Sequence, residues 1–166
     1  DAVRAAAAVG SLTHVIHGAV PTPVSTKRRM LEWWGPVIYE YYGSSEVGGT
    51  SVGPQEWLAR PGTVGRPFPI SEVHILDEQG QELPAGQVGQ IWMRQGDQDF
   101  SYFKDPAKTE RSTRGRLIHV GDYGYVDADG YLFLSGRDAE VIISGGVNIY
   151  PAAVEARLLE HPAVHD

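Results

Sequence analysis

The sequence predicts a mixed α+β fold in which an α/β unit runs into a small β-rich one. Three observations predict it. A helix–strand–helix–strand order fills the stretch up to residue 50, and apolar runs punctuated by turns follow it. The 20 Gly and 11 Pro among 166 residues suit many turns and short strands better than a helical bundle.

The elements follow in order. AVRAAAAVG (2–10) is a run of strong helix formers closed by Gly10. LTHVIHG, ending at Gly18, reads as a short buried strand. PVSTKRRMLEWWG reads as a helix that Ser25 caps, with Met30, Trp33 and Trp34 on one side and Gly35 ending it. PVIYEYYG returns to a strand, and the short links make the two strands parallel neighbours. From Pro54 to Pro69 the chain reads as loop. EVHILDEQGQELP, VGQIWMR and YGYVDADGYLFL are β segments, the last folded at Asp-Ala-Asp-Gly. Together they predict a small, strongly bent sheet or open barrel. EVIISGGVNIYP is a further hairpin around Gly145 and Gly146, and PAAVEARLLEHP a helix with Pro151 in its first turn and Pro162 at its end.

Composition narrows the function. A net charge of −7 argues against a nucleic-acid surface, which needs a basic field. It leaves room for one anionic ligand held by local N–H groups. With no Cys there are no disulfides and no thiolate metal sites, and a cytoplasmic setting fits. No apolar run reaches the roughly 20 residues of a membrane span. The first residues have no basic n-region and no initiator Met, so the chain reads as a piece of a longer protein.

Two strand ends carry the first candidate site. HGAVP follows one and YGSSEVGG the other, and ligands gather beyond the carboxyl ends of strands in open α/β sheets. Gly18 and Gly43 would let a flat ligand approach the backbone, and Tyr41 and Tyr42 would offer a stacking face. Ser44 and Ser45 supply hydroxyls for phosphate, and Glu46 an oxygen for magnesium. The competing reading is a tight turn with a solvated Glu46. A second candidate is VGDYGYVDADGYLFLSGR, where Asp122 suits vicinal ribose hydroxyls and Arg137 suits phosphate. Its competing reading is a hairpin with a cross-strand Asp–Arg pair; Asp127 and Asp129 are turn residues. In GRDAEVIISGGVNIYP, the paired glycines form either a tight turn or a slot for an extended ligand.

The order of these motifs resembles the adenylate-forming acid–CoA ligases, the acyl- and aryl-CoA synthetase group, nearly end to end. HGAVP is similar to the family's Gly-Ala-Pro segment and YYGSSE to its Tyr-Gly-x-Thr-Glu motif. VGQIWMR and YFKDPAKTE resemble its Gly-Glu-Ile strand and Tyr-Phe-x-x-Pro-x-x-Thr segment. VGDYGYVDADGYLFLSGR is similar to Thr-Gly-Asp-x-Gly through Gly-Arg, and the remainder resembles the start of the family's mobile C-terminal domain.

The resemblance implies three parts: the end of an α/β AMP-binding subdomain (1–50), a β-barrel subdomain (51–138) and the start of the α+β C-terminal domain (139–166). It implies that Gly18, Ala19 and Tyr42 border an adenine, with Glu40, Tyr41 and Gly43 alongside. Ser45 would contact phosphate, Glu46 would hold Mg2+, Asp122 the ribose and Arg137 ribose and phosphate, with Ser45 and Glu46 the catalytic pair. Gly145 and Gly146 would line the CoA passage. ATP or AMP, Mg2+, CoA and a small carboxylic acid are the expected ligands, and the rest of the parent chain the expected partner. The reaction implied is activation of an acid as acyl-AMP and its transfer to CoA. Alternatives are an acyl-AMP ligase that loads a carrier protein and a non-catalytic nucleotide-binding relic. The chain departs from the family pattern at Val120 and Ser45, each standing for threonine, and at Ala139, where a hinge Asp or Lys is usual. The family's phosphate loop and catalytic lysine fall outside the sequence, so the piece is expected to be inactive alone.

Overall fold

The computed structural model describes residues 9–20, 22–97, 99–137, 140–145, 147–159, 161 and 163–164, without the side chains of 148, 153 and 156. The expected 2–10 helix, Ala139, Gly146 and Pro162 therefore lie outside the described residues or, for the helix, almost wholly so.

β1 (Val15–His17) leads into α1 (Val24–Trp34) and β2 (Ile38–Ser44). β1 and β2 are parallel, with Val15 opposite Ile38 and His17 opposite Glu40, as the short links require. Two details differ from expectation. Ile16 at the centre of β1 is 70% exposed, so the strand is not buried; three residues with one neighbour on the path have too little cover. The residue before α1 is Pro23, with no side-chain cap; Ser25 already lies within the helix. Leu31 is the buried apolar residue of α1, packing with Ile38, Val52 and Trp57, while Met30 and Trp34 flank that cluster.

β2 turns back through residues 45–47 into β3 (Gly48–Val52), its antiparallel partner. The supposed Pro54–Pro69 loop holds α2 (Pro54–Ala59) and β4 (Thr63–Pro67). Its prolines and glycines punctuate short elements rather than abolish them: Pro54 is the first residue of α2, where its missing N–H costs nothing. The Gly53 N–H instead donates to Glu56 Oε2 at 3.2 Å.

β5 (Ser71–Leu76), β6 (Gly89–Gln95), α3 (Pro106–Ser112), β7 (Thr113–Arg114), β8 (Leu117–Val126) and β9 (Leu132–Arg137) follow. Among the described residues the strands form one bonded path, β1-β2-β3-β4-β9-β8-β6-β5, with β7 on β8. The β8–β9 turn is as read from sequence, with Asp127 Oδ1 accepting from the N–H groups of Asp129 and Tyr131, each at 2.9 Å. Register shifts interrupt β4–β9, β6–β8 and β8–β9, and such irregularities bend a sheet. Inside the bend Val47, Val64, Ile75, Ile91, Met93, Ile118 and Leu132 form the larger core, each full burial stabilising by roughly 1.5–3 kcal/mol. The chain ends in the hairpin β10 (Ile142–Ser144) and β11 (Val147–Ile149), then α4 (Pro151–Leu158), which packs on β9.

Candidate functional site

β2 is the hub, because alternation along a strand sends successive side chains to opposite faces. Glu40 points to α1, where Lys27 Nζ meets its Oε2 at 2.5 Å. Both side chains are buried, and the Lys27 ammonium also lies 4.8 Å from the centre of the Trp57 ring. Burial pushes the Lys27 pKa down, and the bond to Glu40 pulls it back. His17 Nε2 stands 3.7 Å from the same carboxylate; burial lowers its pKa, Glu40 opposing and Lys27 assisting.

Two residues along, Tyr42 Oη donates to Asp122 Oδ2 at 2.7 Å. Burial first, then the charge of Asp122, holds this phenol far above its ordinary pKa. Asp122 faces Arg137 across β8 and β9, with Nε 3.2 Å from Oδ1. The cross-strand pair expected from sequence therefore exists, and it does not close the site. A carboxylate has about four lone-pair positions; one donor sits on each Asp122 oxygen, so capacity for further donors remains. The Arg137 side chain is 67% exposed, its guanidinium available to an incoming anion.

Tyr41 and Tyr42 do not share one stacking face, since they point to opposite sides of β2. Tyr41, 46% exposed, lies against Gly18: a Cβ there would sit 2.7 Å from the Tyr41 ring. Gly18 thus admits Tyr41 itself. Gly43 likewise admits the facing strand, its Cβ position being filled by the backbone of Gly48 and Gly49. The close approach read from these glycines is made on that side by the protein. Ala19 next to Gly18 has φ 71°, the left-handed region that a non-glycine residue seldom occupies.

The β2–β3 tip carries Ser45 and Glu46 outward because the next residue, Val47, is fully buried in the larger core. Glu46 N–H donates to Ser44 Oγ, and Ser45 Oγ to Glu46 Oε2, each at 3.3 Å. The Ser44 hydroxyl holds the Glu46 carboxyl below the usual range; burial opposes it, while the Glu46 N–H, Ser45 and the Lys108 charge add to it. Ser45 and Glu46 line a cleft of about 330 Å³ with Asp99, Phe100, Ser101, Tyr102 and Phe103. An ionised carboxylate beside hydroxyls is a fitting donor set for Mg2+, and Glu46 and Ser45 would hold it.

The structure therefore joins Tyr42, Asp122 and Arg137 directly, groups Ser45 with Glu46, and sets Gly18 against Tyr41. Glu40, on the same face of β2 as Tyr42, is taken up by its bond with Lys27. Gly145, at φ 59°, sits in the β10–β11 turn. Sequence reasoning missed Lys27 and the 99–103 wall of the cleft. Lys27 had a signal: it precedes the buried Leu31 by one helical turn, on the same face.

A family model described as AMP-binding enzyme matches residues 2–99. The mitochondrial acyl-coenzyme A synthetase ACSM4 of Rattus norvegicus is 38% identical over 162 residues, which cover 92% of this chain and 27% of that protein. The 2-succinylbenzoate–CoA ligase of Geobacillus kaustophilus is 35% identical over 80% of this chain and 27% of its own length. The chain thus spans about a quarter of the curated relatives it matches. Among solved structures, the amide bond synthetase McbA from Marinactinospora thermotolerans superposes with a TM-score of 0.87 at 33% identity, over 98% of this chain and 34% of that one. The o-succinylbenzoate coenzyme A synthetase MenE of Bacillus subtilis, in complex with ATP and magnesium ion, gives 0.80 at 29%, over 95% and 35%.

Proposed function

We propose a function from one premise: the chain belongs to the AMP-binding enzyme family. It is part of an AMP-forming acid–CoA ligase. The observation that carries this reading is the meeting of Tyr42, Asp122 and Arg137 around one carboxylate, from strands that lie 80 residues apart in sequence.

In the proposed reaction a carboxylate oxygen of the acid attacks the α-phosphorus of ATP and pyrophosphate leaves, giving acyl-AMP. The CoA thiol then loses its proton and attacks the acyl carbonyl, and AMP leaves. Asp122 accepts from the ribose hydroxyls, with Tyr42 fixing the rotamer of its carboxylate. Arg137 reaches from the ribose to the phosphate. Ser45 donates to phosphate oxygen, and Glu46 with Ser45 holds Mg2+. When bound, that ion offsets the negative charge that builds on the phosphate oxygens. Gly18, Ala19 and Tyr42 border the adenine, with Tyr41 alongside. Glu40, committed to Lys27, acts by fixing β2. Gly145 and Gly146 line the path of CoA.

The test is pyrophosphate release by the full-length protein across a panel of carboxylic acids, followed by offering CoA, a carrier-protein thiol or an amine as acceptor. ATP-dependent pyrophosphate release and thioester formation with CoA are expected. The likeness to an amide bond synthetase supports a second reading, in which an amine takes the acyl group; amide in place of thioester would establish it. No AMP binding by the full-length protein would overturn both.

A further inference from the structure

The rung of the β8–β9 ladder next to the Asp122–Arg137 pair is Tyr123 opposite Gly136. Alternation turns this rung to the other face of the sheet. There Tyr150, the residue between β11 and α4, is seated. Its ring centre lies 5.7 Å from that of Tyr123, the rings tilted by 46°. A Cβ on Gly136 would come within 3.3 Å of Tyr150 Cδ1 and 3.6 Å of its Cβ. Gly136 is thus the floor of the seat and Tyr123 its wall.

Among the described residues, the terminal hairpin presents exposed apolar side chains. Ile142, Ile143 and Val147 are 54%, 72% and 62% exposed, and the β10–β11 pair is a separate two-stranded sheet. Tyr150, packed on a ladder rung, anchors the residue that directly follows β11. The same ladder carries Asp122 and Arg137 one residue away in unbroken register, the shift falling on the far side, between Tyr123 and Gly124. Lifting Tyr150 out relaxes that rung, and drawing Asp122 and Arg137 onto a ligand tightens it.

We infer that Tyr150 is a positioning residue: its seat on Gly136 and Tyr123 ties the placement of the terminal hairpin to occupancy of the Asp122–Arg137 site. The inference rests on the nucleotide reading proposed above. By linkage the coupling is reciprocal, so it is measurable from either end.

The experiment uses the full-length protein with AMP as the probe. Amide exchange at residues 142–149 is followed with and without AMP, and AMP affinity is measured by calorimetry. In the native sequence AMP should slow exchange there at least fivefold. Tyr150→Ala and Gly136→Val should speed exchange without ligand, remove its response to AMP and weaken AMP binding several-fold. Tyr150→Phe, which keeps the ring, should behave as native. AMP binding with an exchange response equal in native and Tyr150→Ala protein overturns the coupling alone. Exchange accelerated equally through 123–126 marks general unfolding and also overturns it. No AMP binding to the native protein overturns the nucleotide reading, and this inference with it.

Discussion

Glu40 and Asp122 are both buried carboxylates with a cationic partner, yet the two pairs are built for different ends. Lys27 is wholly enclosed, with its ammonium shared between Glu40 and the Trp57 ring. Arg137 keeps 67% of its side chain in solvent. In the first pair both charges have given up water, and each is the other's nearest opposite charge, with His17 3.7 Å from the same carboxylate. In the second, one charge is buried and the other faces outward, so the acceptor is already desolvated while the guanidinium keeps its access to solvent. The contrast teaches that which partner is exposed, more than the pairing itself, separates an ion pair closed on itself from one that can take a further partner.

The largest expected effect breaks the closed pair. Lys27→Met strips the buried Glu40 carboxyl of its ammonium partner, at a cost of about 3–5 kcal/mol in urea denaturation. Adding Glu40→Leu should recover most of it. A loss under about 1 kcal/mol for Lys27→Met would erase the distinction between the pairs. Next, Asp122→Asn should weaken AMP binding by the full-length protein by about 1–3 kcal/mol in calorimetry. Its folding stability should fall by less than that of Lys27→Met.

Tyr42→Phe is smaller. It removes the bond to Asp122 Oδ2 and should cost about 0.5–1.5 kcal/mol of stability by thermal melting. Smallest is Glu46, whose folded carboxyl titrates below the ordinary range because of the Ser44 hydroxyl. A depressed carboxyl contributes stability that is present above its unfolded pKa of about 4.3 and lost as pH falls through the folded value. The Tm difference between native protein and Glu46→Gln should therefore shrink on acidification below about pH 4. A difference that grows instead would reverse the sign.

The local parts of this architecture were legible in the sequence because their causes are local. Asp127 to Gly130 reads as a turn since the Asp127 side chain itself bonds the following N–H groups. The parallel pairing of β1 and β2 follows from the helix between them. Pro54 to Pro69 was misread because proline and glycine mark the ends of short elements as readily as loops, and α2 spans only Pro54–Ala59. Asp122 and Arg137 could be named from their motif, but nothing near them in the chain announces Tyr42 as the donor. Gly18 and Gly43 were legible as places of close approach. Which body approaches, the Tyr41 ring and the opposing strand, depends on packing that only the folded chain decides.

The hairpin tip carries one further consequence. Val47, fully enclosed among Ile91, Met93 and Leu132, is covalently next to the carboxylate that faces the cleft. A substitution in the core inside the bent sheet thus pulls on Glu46 through a single peptide link. On the role proposed for Glu46, such variants should score as poor binders in a library screened by ligand capture before they score as poor folders. Lineages that abandon the ligand would lose that early penalty, and the core inside their bent sheet should drift sooner than the enclosed Lys27–Glu40 contact.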